Sequence, residues 1–180
     1  MQSAPLLALS GPSGSGKSST LLAGLVPAVR TGTVATSAHW RIATMQPGNH
    51  PFAQLQAALQ AAARQDPVLD LSPQLVGDDL DLLRTVLRVV PEEDERLLLV
   101  IDQFEELYLQ VDEEEVRDRF LRNLVEVDED PPSRCTVVLA IRTDLLGRPM
   151  AHTRLGPLIA EGLVHILPLT AAELEAACTG

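Results

Sequence analysis

Apolar runs alternate with stretches of helical periodicity along most of the chain. The most apolar run is Arg96–Asp102 (RLLLVID), the pattern of a central strand that is covered on both faces. Shorter apolar runs predict four further strands, at Pro5–Ser10, Trp40–Met45, Cys135–Ile141 and Val164–Leu167. Helical spacing predicts helices at Ser18–Val29, Phe52–Ala63, Asp78–Val90 and Asp112–Val127. Strands that alternate with helices predict a three-layer α/β fold around a mainly parallel sheet.

One proline and a capping pattern refine these boundaries. Pro27 lacks a backbone N–H and is expected to end the first helix near that position. Thr170 precedes Glu173 by three residues, which is the capping-box pattern of a new helix over Thr170–Ala177. We therefore expect residues 1–170 to form one domain and residues 171–180 to begin a helical lid. A lid that starts so late predicts that the chain is a fragment of a larger protein.

Composition narrows the classes of partner. The 180 residues are 46% hydrophobic, enough for one full core, and the net charge is −11 with a pI near 4.7. Such an acidic chain is a poor match for nucleic acid or anionic lipid, both of which select clustered lysine and arginine. No apolar run approaches the roughly 18–20 residues that span a bilayer, and Cys135 and Cys178 make no disulfide framework. The prediction is a cytoplasmic protein without nucleic-acid or membrane partners.

The segment Gly11–Ser18 (GPSGSGKS) matches the pattern G-x-x-x-x-G-K-[ST] between a predicted strand and a predicted helix. Glycines let successive backbone N–H groups point inward and hold phosphate oxygens. Lys17 is the only lysine in the sequence; its mobile ammonium suits the β- and γ-phosphates, and the Ser18 hydroxyl suits Mg²⁺. The candidate phosphate-binding residues are Gly11, Ser13, Gly14, Ser15, Gly16, Lys17, Ser18 and Ser19.

A second motif, DQFEEL, begins with Asp102 at the end of the most apolar strand. In a parallel sheet this carboxylate lies at the edge where ligands bind, so Asp102 is a second candidate residue for holding Mg²⁺. Glu105 and Glu106 follow, and either carboxylate could deprotonate an attacking water. A solvated helix face is an alternative interpretation for both glutamates.

The third element is Arg142, which ends the strand Cys135–Ile141 and precedes Thr143 and Asp144. A cation at this edge could stabilise the charge of a γ-phosphate. The alternative is a surface arginine that pairs with Asp144.

Together these motifs resemble the STAND class of P-loop NTPases, and most closely the bacterial novel STAND NTPase domains, which are related to the NACHT ATPases. The resemblance spans roughly Leu6 to Ala177, and its most specific part is DQFEEL. The matching stretches are GPSGSGKSS (Gly11–Ser19), DQFEEL (Asp102–Leu107), the P-G-x-x-P motif (Pro47–Pro51) and R-x-D (Arg142–Asp144). The resemblance implies a P-loop NTPase fold with a five-stranded sheet in the order 5-1-4-3-2 and helices on both faces. It also implies that one of Glu105 and Glu106 is the catalytic base, with Glu106 narrowly favoured.

The same resemblance implies a function: binding and slow hydrolysis of Mg-ATP as a nucleotide switch in a signalling ATPase. ADP would hold a closed state and ATP an open state that forms homo-oligomers. Members of this class are often fused to sensor or effector domains such as WD repeats or proteases, and they continue into a lid and a winged-helix domain. The expected ligands are therefore ATP, ADP and Mg²⁺.

Other classes share the glycine-rich motif. An ABC transporter ATPase would need an LSGGQ-like signature and a strand ending in D-E-P, and neither occurs here. A GTPase would need an asparagine where Ile141 stands, so ATP is favoured over GTP. A nucleotide or small-molecule kinase, and an interaction scaffold with negligible turnover, remain as alternatives.

Overall fold

The structure is a computed structural model that describes residues 6–34, 39–63, 81–129 and 134–167. Several predictions lie outside these ranges: the capped helix Thr170–Ala177, the domain boundary at residue 170, the lid at 171–180 and Cys178. Within them, none of the helices is both long enough and apolar enough to cross a bilayer.

The core of the fold is one sheet of five strands in which every pairing is parallel. The strands are β1 (Leu6–Gly11), β2 (Trp40–Met45), β3 (Arg96–Ile101), β4 (Cys135–Arg142) and β5 (Leu163–His165). Their order across the sheet is β2-β3-β4-β1-β5. Read from the other edge, this is the predicted order 5-1-4-3-2, so the predicted fold class is confirmed.

Helices cover both faces of the sheet. A continuous helical stretch follows β1 and consists of α1 (Lys17–Ser19), a π-helical segment (Thr20–Leu25) and α2 (Val26–Arg30). The remaining helices are α3 (Pro51–Ala63), α4 (Leu82–Val89), α5 (Glu106–Leu109), α6 (Glu114–Glu129), α7 (Gly147–Met150) and α8 (Leu155–Glu161), with a 3₁₀ turn at Thr143–Leu145.

Strand β3 shows how its sequence produces this architecture. Leu97, Leu99 and Ile101 pack into the larger core with α3, α4, α6 and α8. Leu98 and Val100 point the other way and pack against the stretch that follows β1. All five are at most 2% exposed. An uninterrupted apolar run is therefore required here, because alternate side chains enter two different cores.

The predicted helix Ser18–Val29 is present with nearly the predicted bounds, but Pro27 does not end it. The helix continues to Arg30, because the turn before Pro27 is π-helical: the N–H of Val26 donates to the carbonyl of Leu21, five residues back. A proline inside a regular α-helix would clash with a carbonyl four residues earlier. Here the wider turn relieves that clash, and Pro27 lies in the first turn of α2, where its missing N–H does no harm.

Cys135 begins β4, as the sequence predicts, and its side chain is 1% exposed. Burial raises the pKa of the Cys135 thiol to about 12. The thiol is therefore protonated at neutral pH and inert as a nucleophile.

Candidate functional site

The glycine-rich loop (residues 12–16) joins the end of β1 to the start of α1. Gly14 and Gly16 have positive φ angles of 77° and 87°, a conformation that glycine adopts without steric cost. The N–H of Ser15 donates to the carbonyl of Pro12 at 3.2 Å. Ser13, inside the loop, and Ser19, at the end of α1, are both exposed. The loop therefore curls at the start of a helical stretch, where N–H groups and the helix dipole favour an anion.

Gly11 is required for a different reason, which is lack of space. A Cβ atom at this position would lie 2.5 Å from Ser15 Oγ and 2.6 Å from the carbonyl oxygen of Ile166. A side chain here would push the glycine-rich loop away from the end of β5.

We expect Gly11→Ala to destabilise the fold by about 1–3 kcal/mol, the usual cost of overpacking a filled site. Thermal unfolding of the purified chain measures this effect. Gly24→Ala is the matched control, because a Cβ at Gly24 meets no atom within 4 Å. A Gly11→Ala variant as stable as the Gly24→Ala variant would contradict the packing described for the loop.

Lys17 and Ser15 place two donors at the loop. Lys17 Nζ donates to the carbonyl oxygens of Gly11 at 2.8 Å and Pro12 at 2.9 Å, so the ammonium lies folded over the loop. Ser15 is 5% exposed, and its buried hydroxyl has no hydrogen-bond partner among the described residues. A buried hydroxyl without a partner is costly, so an acceptor such as a phosphate oxygen fits this position.

Helix α1, which follows the glycine-rich loop, contacts the acidic motif through the side chain of Ser18. Ser18 Oγ donates to Asp102 Oδ1 at 2.9 Å, although the two residues are 84 positions apart in the chain. Asp102 is 4% exposed, and its N–H donates to the carbonyl of Met45 at 2.9 Å, which fixes the residue beyond the end of β3. A hydroxyl and a carboxylate are oxygen ligands of the kind that Mg²⁺ prefers. The donor set at this contact therefore fits Mg²⁺.

The two candidate glutamates point to different neighbours. Glu105 is 7% exposed, and its Oε2 accepts the N–H of Arg142, the last residue of β4, at 3.3 Å. Glu106 is half-buried, and its Oε2 accepts the N–H of Gly48 at 3.0 Å, in the loop after β2. Since β4 lies between β3 and β1, Glu105 is directed toward the side of the sheet that carries the glycine-rich loop. Glu106 is directed away from it.

The turn between Asp102 and Glu105 is made by a residue in an unusual conformation. Gln103 has a φ of 53°, a left-handed value that residues with a side chain rarely adopt. The turn lets the N–H of Phe104 donate to the carbonyl of Ala140 at 2.8 Å, while the Phe104 ring is fully buried. Phe104 thus anchors the acidic segment to β4 and sets the position of Glu105.

Arg142 makes the ion pair that the sequence left as an alternative. Its Nε and one terminal nitrogen donate to the two carboxylate oxygens of Asp144 at 3.1 and 2.7 Å. This hydrogen-bonded pair raises the pKa of Arg142 and lowers the pKa of Asp144. Both side chains remain accessible, with exposed fractions of 40% and 58%.

All of the predicted residue groups lie near the carboxyl-terminal ends of the strands, after β1, β3 and β4. The structure also adds contacts that the sequence did not identify. Gln46 Nε2 lies 3.5 Å from Asp102 Oδ2, and Ser10 Oγ lies 3.0 Å from Thr143 Oγ1. Gln46 could have been suspected because it directly precedes the P-G-x-x-P motif. Ser10 and Thr143 carried no such signal, since their contact depends on the pairing of β1 with β4.

A parallel sheet, a glycine-rich loop after β1 and an acidic residue at the end of β3, with β4 between these two strands, together define the class of P-loop NTPases. Comparison with known families makes the assignment specific. The model of the family Novel STAND NTPase 1 matches residues 1–180, and the chain belongs to that family. No curated protein sequence matches the chain.

Solved structures support the fold. The chain resembles the ORC2 protein of Aeropyrum pernix in its ADPNP-ADP complexes, with 18% identity and a TM-score of 0.67 over 97% of this chain and 45% of that one. The ADP form of the same protein gives 15% identity and a TM-score of 0.64 over 96% of this chain and 45% of that one. The chain thus spans less than half the length of the ORC2 protein it resembles.

Proposed function

We propose that this chain binds Mg-ATP and ADP in the glycine-rich loop and hydrolyses ATP slowly, as the nucleotide switch of a STAND-type signalling protein. The observation that carries the proposal is the 2.9 Å contact between Ser18 Oγ and Asp102 Oδ1. This contact joins the first turn of the helix after the glycine-rich loop to the carboxylate that follows β3. Their meeting is explained if both serve one Mg-nucleotide.

In the proposed complex the phosphates lie along the glycine-rich loop. Lys17 would leave the carbonyls of Gly11 and Pro12 and donate to phosphate oxygens, which are stronger acceptors because they are charged. The Ser15 hydroxyl would gain the acceptor that it lacks among the described residues. Bound Mg²⁺, held by Ser18 and Asp102, would neutralise charge on the phosphates.

We propose Glu105 rather than Glu106 as the base. Glu105 faces the β4 side of the site, next to Arg142, and one of its carboxylate oxygens already accepts the Arg142 N–H. The other oxygen is available to take the proton from a water that attacks the γ-phosphate. Glu106 is committed to the N–H of Gly48 and would hold the P-G-x-x-P loop against the acidic segment. Arg142 would stabilise charge on the γ-phosphate.

Adenine nucleotides are the first ligands to test. The residue at the position of a guanine-reading asparagine, Ile141, is 1% exposed and lies inside β4, so it offers no contact to a base. Calorimetric titration with ATP, ADP and GTP in Mg²⁺ tests the proposal. Binding of ATP and ADP supports it, whereas no binding of either nucleotide at millimolar concentration by the folded chain would contradict it.

Asp102→Asn is expected to weaken the Mg²⁺-dependent part of nucleotide affinity about ten- to hundredfold, the usual range when a metal ligand or its immediate support is altered. The asparagine oxygen can still accept the Ser18 hydroxyl, so the fold should be retained. The measurement compares ATP affinity with Mg²⁺ and with chelator. Asp94→Asn is the control, because Asp94 is exposed and precedes β3 at the opposite edge of the sheet. Equal Mg²⁺ dependence in both variants would remove Asp102 from the metal site.

The wider role is part of the same proposal. Residues 1–170 would be the NTPase domain and 171–180 the start of the lid, within a cytoplasmic protein that carries fused sensor or effector domains. ATP would favour a homo-oligomer, and nucleic acid and membranes would not be partners. A scaffold with negligible turnover is the second candidate, favoured by the row of exposed acidic residues at the start of α6: Asp112, Glu113, Glu114, Glu115 and Asp118. Measured turnover separates the two.

A further inference from the structure

The R-x-D segment (Arg142–Asp144) is held against the end of β1, directly before the glycine-rich loop. Gly11, which precedes the loop, pairs with Arg142 in the parallel register of β1 and β4. The hydroxyl of Ser10, one residue before Gly11, lies 3.0 Å from that of Thr143, one residue after Arg142, and Ser10 is fully buried. The 3₁₀ turn Thr143–Leu145 starts from this anchored point. Asp144 is therefore held beside the loop by two neighbouring strands.

The carboxylate of Asp144 forms a hydrogen-bonded ion pair with Arg142. The fork of Arg142 binds both of its oxygens, at 3.1 and 2.7 Å. The pKa of Asp144 is lowered chiefly by the hydrogen bond from Arg142, and the charge of Lys17 lowers it further. Lys17 and Arg142 are the two side chains proposed above to bind the γ-phosphate.

We propose that Asp144 is a specificity-determining residue that occupies the guanidinium fork of Arg142 in the absence of a γ-phosphate and thereby biases the site against ATP relative to ADP. This inference rests on the proposed nucleotide site. A carboxylate and a phosphate both present two anionic oxygens that match a guanidinium fork, so they compete for the same donors.

ATP and ADP are expected to affect the Arg142–Asp144 ion pair differently. ATP can engage Arg142 only after the fork has exchanged Asp144 for the γ-phosphate, and its extra charge is repelled by the Asp144 carboxylate. ADP has no γ-phosphate and leaves the pair in place. Asp144 therefore raises the free energy of the ATP complex alone, which suits a switch whose resting state holds ADP.

The opposite role would give the opposite sign. If Asp144 only orients Arg142 toward the γ-phosphate, its removal releases the arginine and weakens ATP binding. If the pair is merely a surface contact, its removal changes neither nucleotide. The ratio of the ATP and ADP dissociation constants separates these three cases, because changes shared by both nucleotides cancel in the ratio.

The test measures this ratio by calorimetry for the natural chain and for Asp144→Asn, which removes the charge but keeps a similar shape. We expect the ratio to shift toward ATP about two- to fivefold, the range that an exposed ion pair supports. Asp144→Ala, which also removes the oxygens, should shift it in the same direction. Asp94→Asn removes one exposed carboxylate at the opposite sheet edge and should leave the ratio unchanged.

A double-variant cycle then identifies the fork as the cause. In an Arg142→Ala background, Asp144→Asn should shift the ratio less than it does in the natural chain. An unchanged ratio in both Asp144 variants, or a shift toward ADP, overturns the inference even when ATP and ADP bind the natural chain. Failure of the natural chain to bind either nucleotide instead overturns the proposed function, so the two failures are distinguishable.

Discussion

Replacing Lys17 with alanine is expected to weaken the affinity for Mg-ATP and Mg-ADP about ten- to hundredfold, the loss that accompanies removal of a charged hydrogen-bond donor. Lys17 is the only lysine of the chain, and its ammonium already lies over the loop, 2.8 Å from the Gly11 carbonyl oxygen and 2.9 Å from that of Pro12. The alanine variant should keep its fold, because the lysine bonds only to nearby backbone. Calorimetric titration measures the affinities and thermal unfolding checks the fold.

Lys17→Arg is the matched control for charge. It keeps the cation but replaces a compact ammonium with a planar fork, which does not fit between two phosphates as a point charge does. We expect this variant to lose most of the affinity as well. Full affinity in Lys17→Ala would contradict the assignment of the glycine-rich loop as the phosphate site, and full affinity in Lys17→Arg would reduce the role of Lys17 to general charge.

Replacing Glu105 with glutamine is expected to slow ATP hydrolysis about 10²–10⁴-fold, the usual contribution of a positioned general base. Nucleotide affinity should change little, because the base acts on water rather than on the nucleotide. The glutamine carbonyl can still accept the N–H of Arg142, so the contact between the acidic segment and β4 is preserved. Phosphate release under single-turnover conditions measures the rate.

Glu106→Gln is the matched comparison, since it makes the same chemical change one residue away. Its carboxylate holds Gly48 rather than facing the glycine-rich loop, so we expect a much smaller loss of rate. The reverse result, with Glu106→Gln inactive and Glu105→Gln active, would return the role of base to Glu106. Equal, measurable rates in both variants and in the natural chain would mean that neither glutamate is the base, whereas no detectable turnover by the natural chain would favour the scaffold over the ATPase.

The fold was predictable because its signals are local or follow from general rules. Strand β3 packs against a core on each face of the sheet, so its uninterrupted apolar sequence is enough to predict a buried central strand. The strand order followed from the resemblance to STAND NTPases, whose motifs lie in the same segments. The course of the first helix was not predictable, because the π-helical turn that accommodates Pro27 leaves no signature in the residues before it.

The candidate site was predictable as a set of residues but not as a set of contacts. The sequence identified Asp102, Glu105 and Glu106 together, and it gave only a narrow preference between the two glutamates. Their neighbours depend on the left-handed turn at Gln103 and on which strands flank β3. Likewise, the sequence offered the Arg142–Asp144 pair only as an alternative. Its position next to the end of β1, directly before the glycine-rich loop, follows from the register between β1 and β4.

The most direct test of the central claim uses the single lysine as a reporter. An amine-reactive acylating reagent should modify only Lys17 and the amino terminus of the purified chain, and peptide mass spectrometry resolves the two sites. If nucleotide lies against the glycine-rich loop, Mg-ATP and Mg-ADP will slow acylation of Lys17 in a concentration-dependent manner and leave the amino terminus unaffected. If Lys17 reacts at the same rate with and without millimolar nucleotide, the loop does not bind phosphates and the proposed function is wrong.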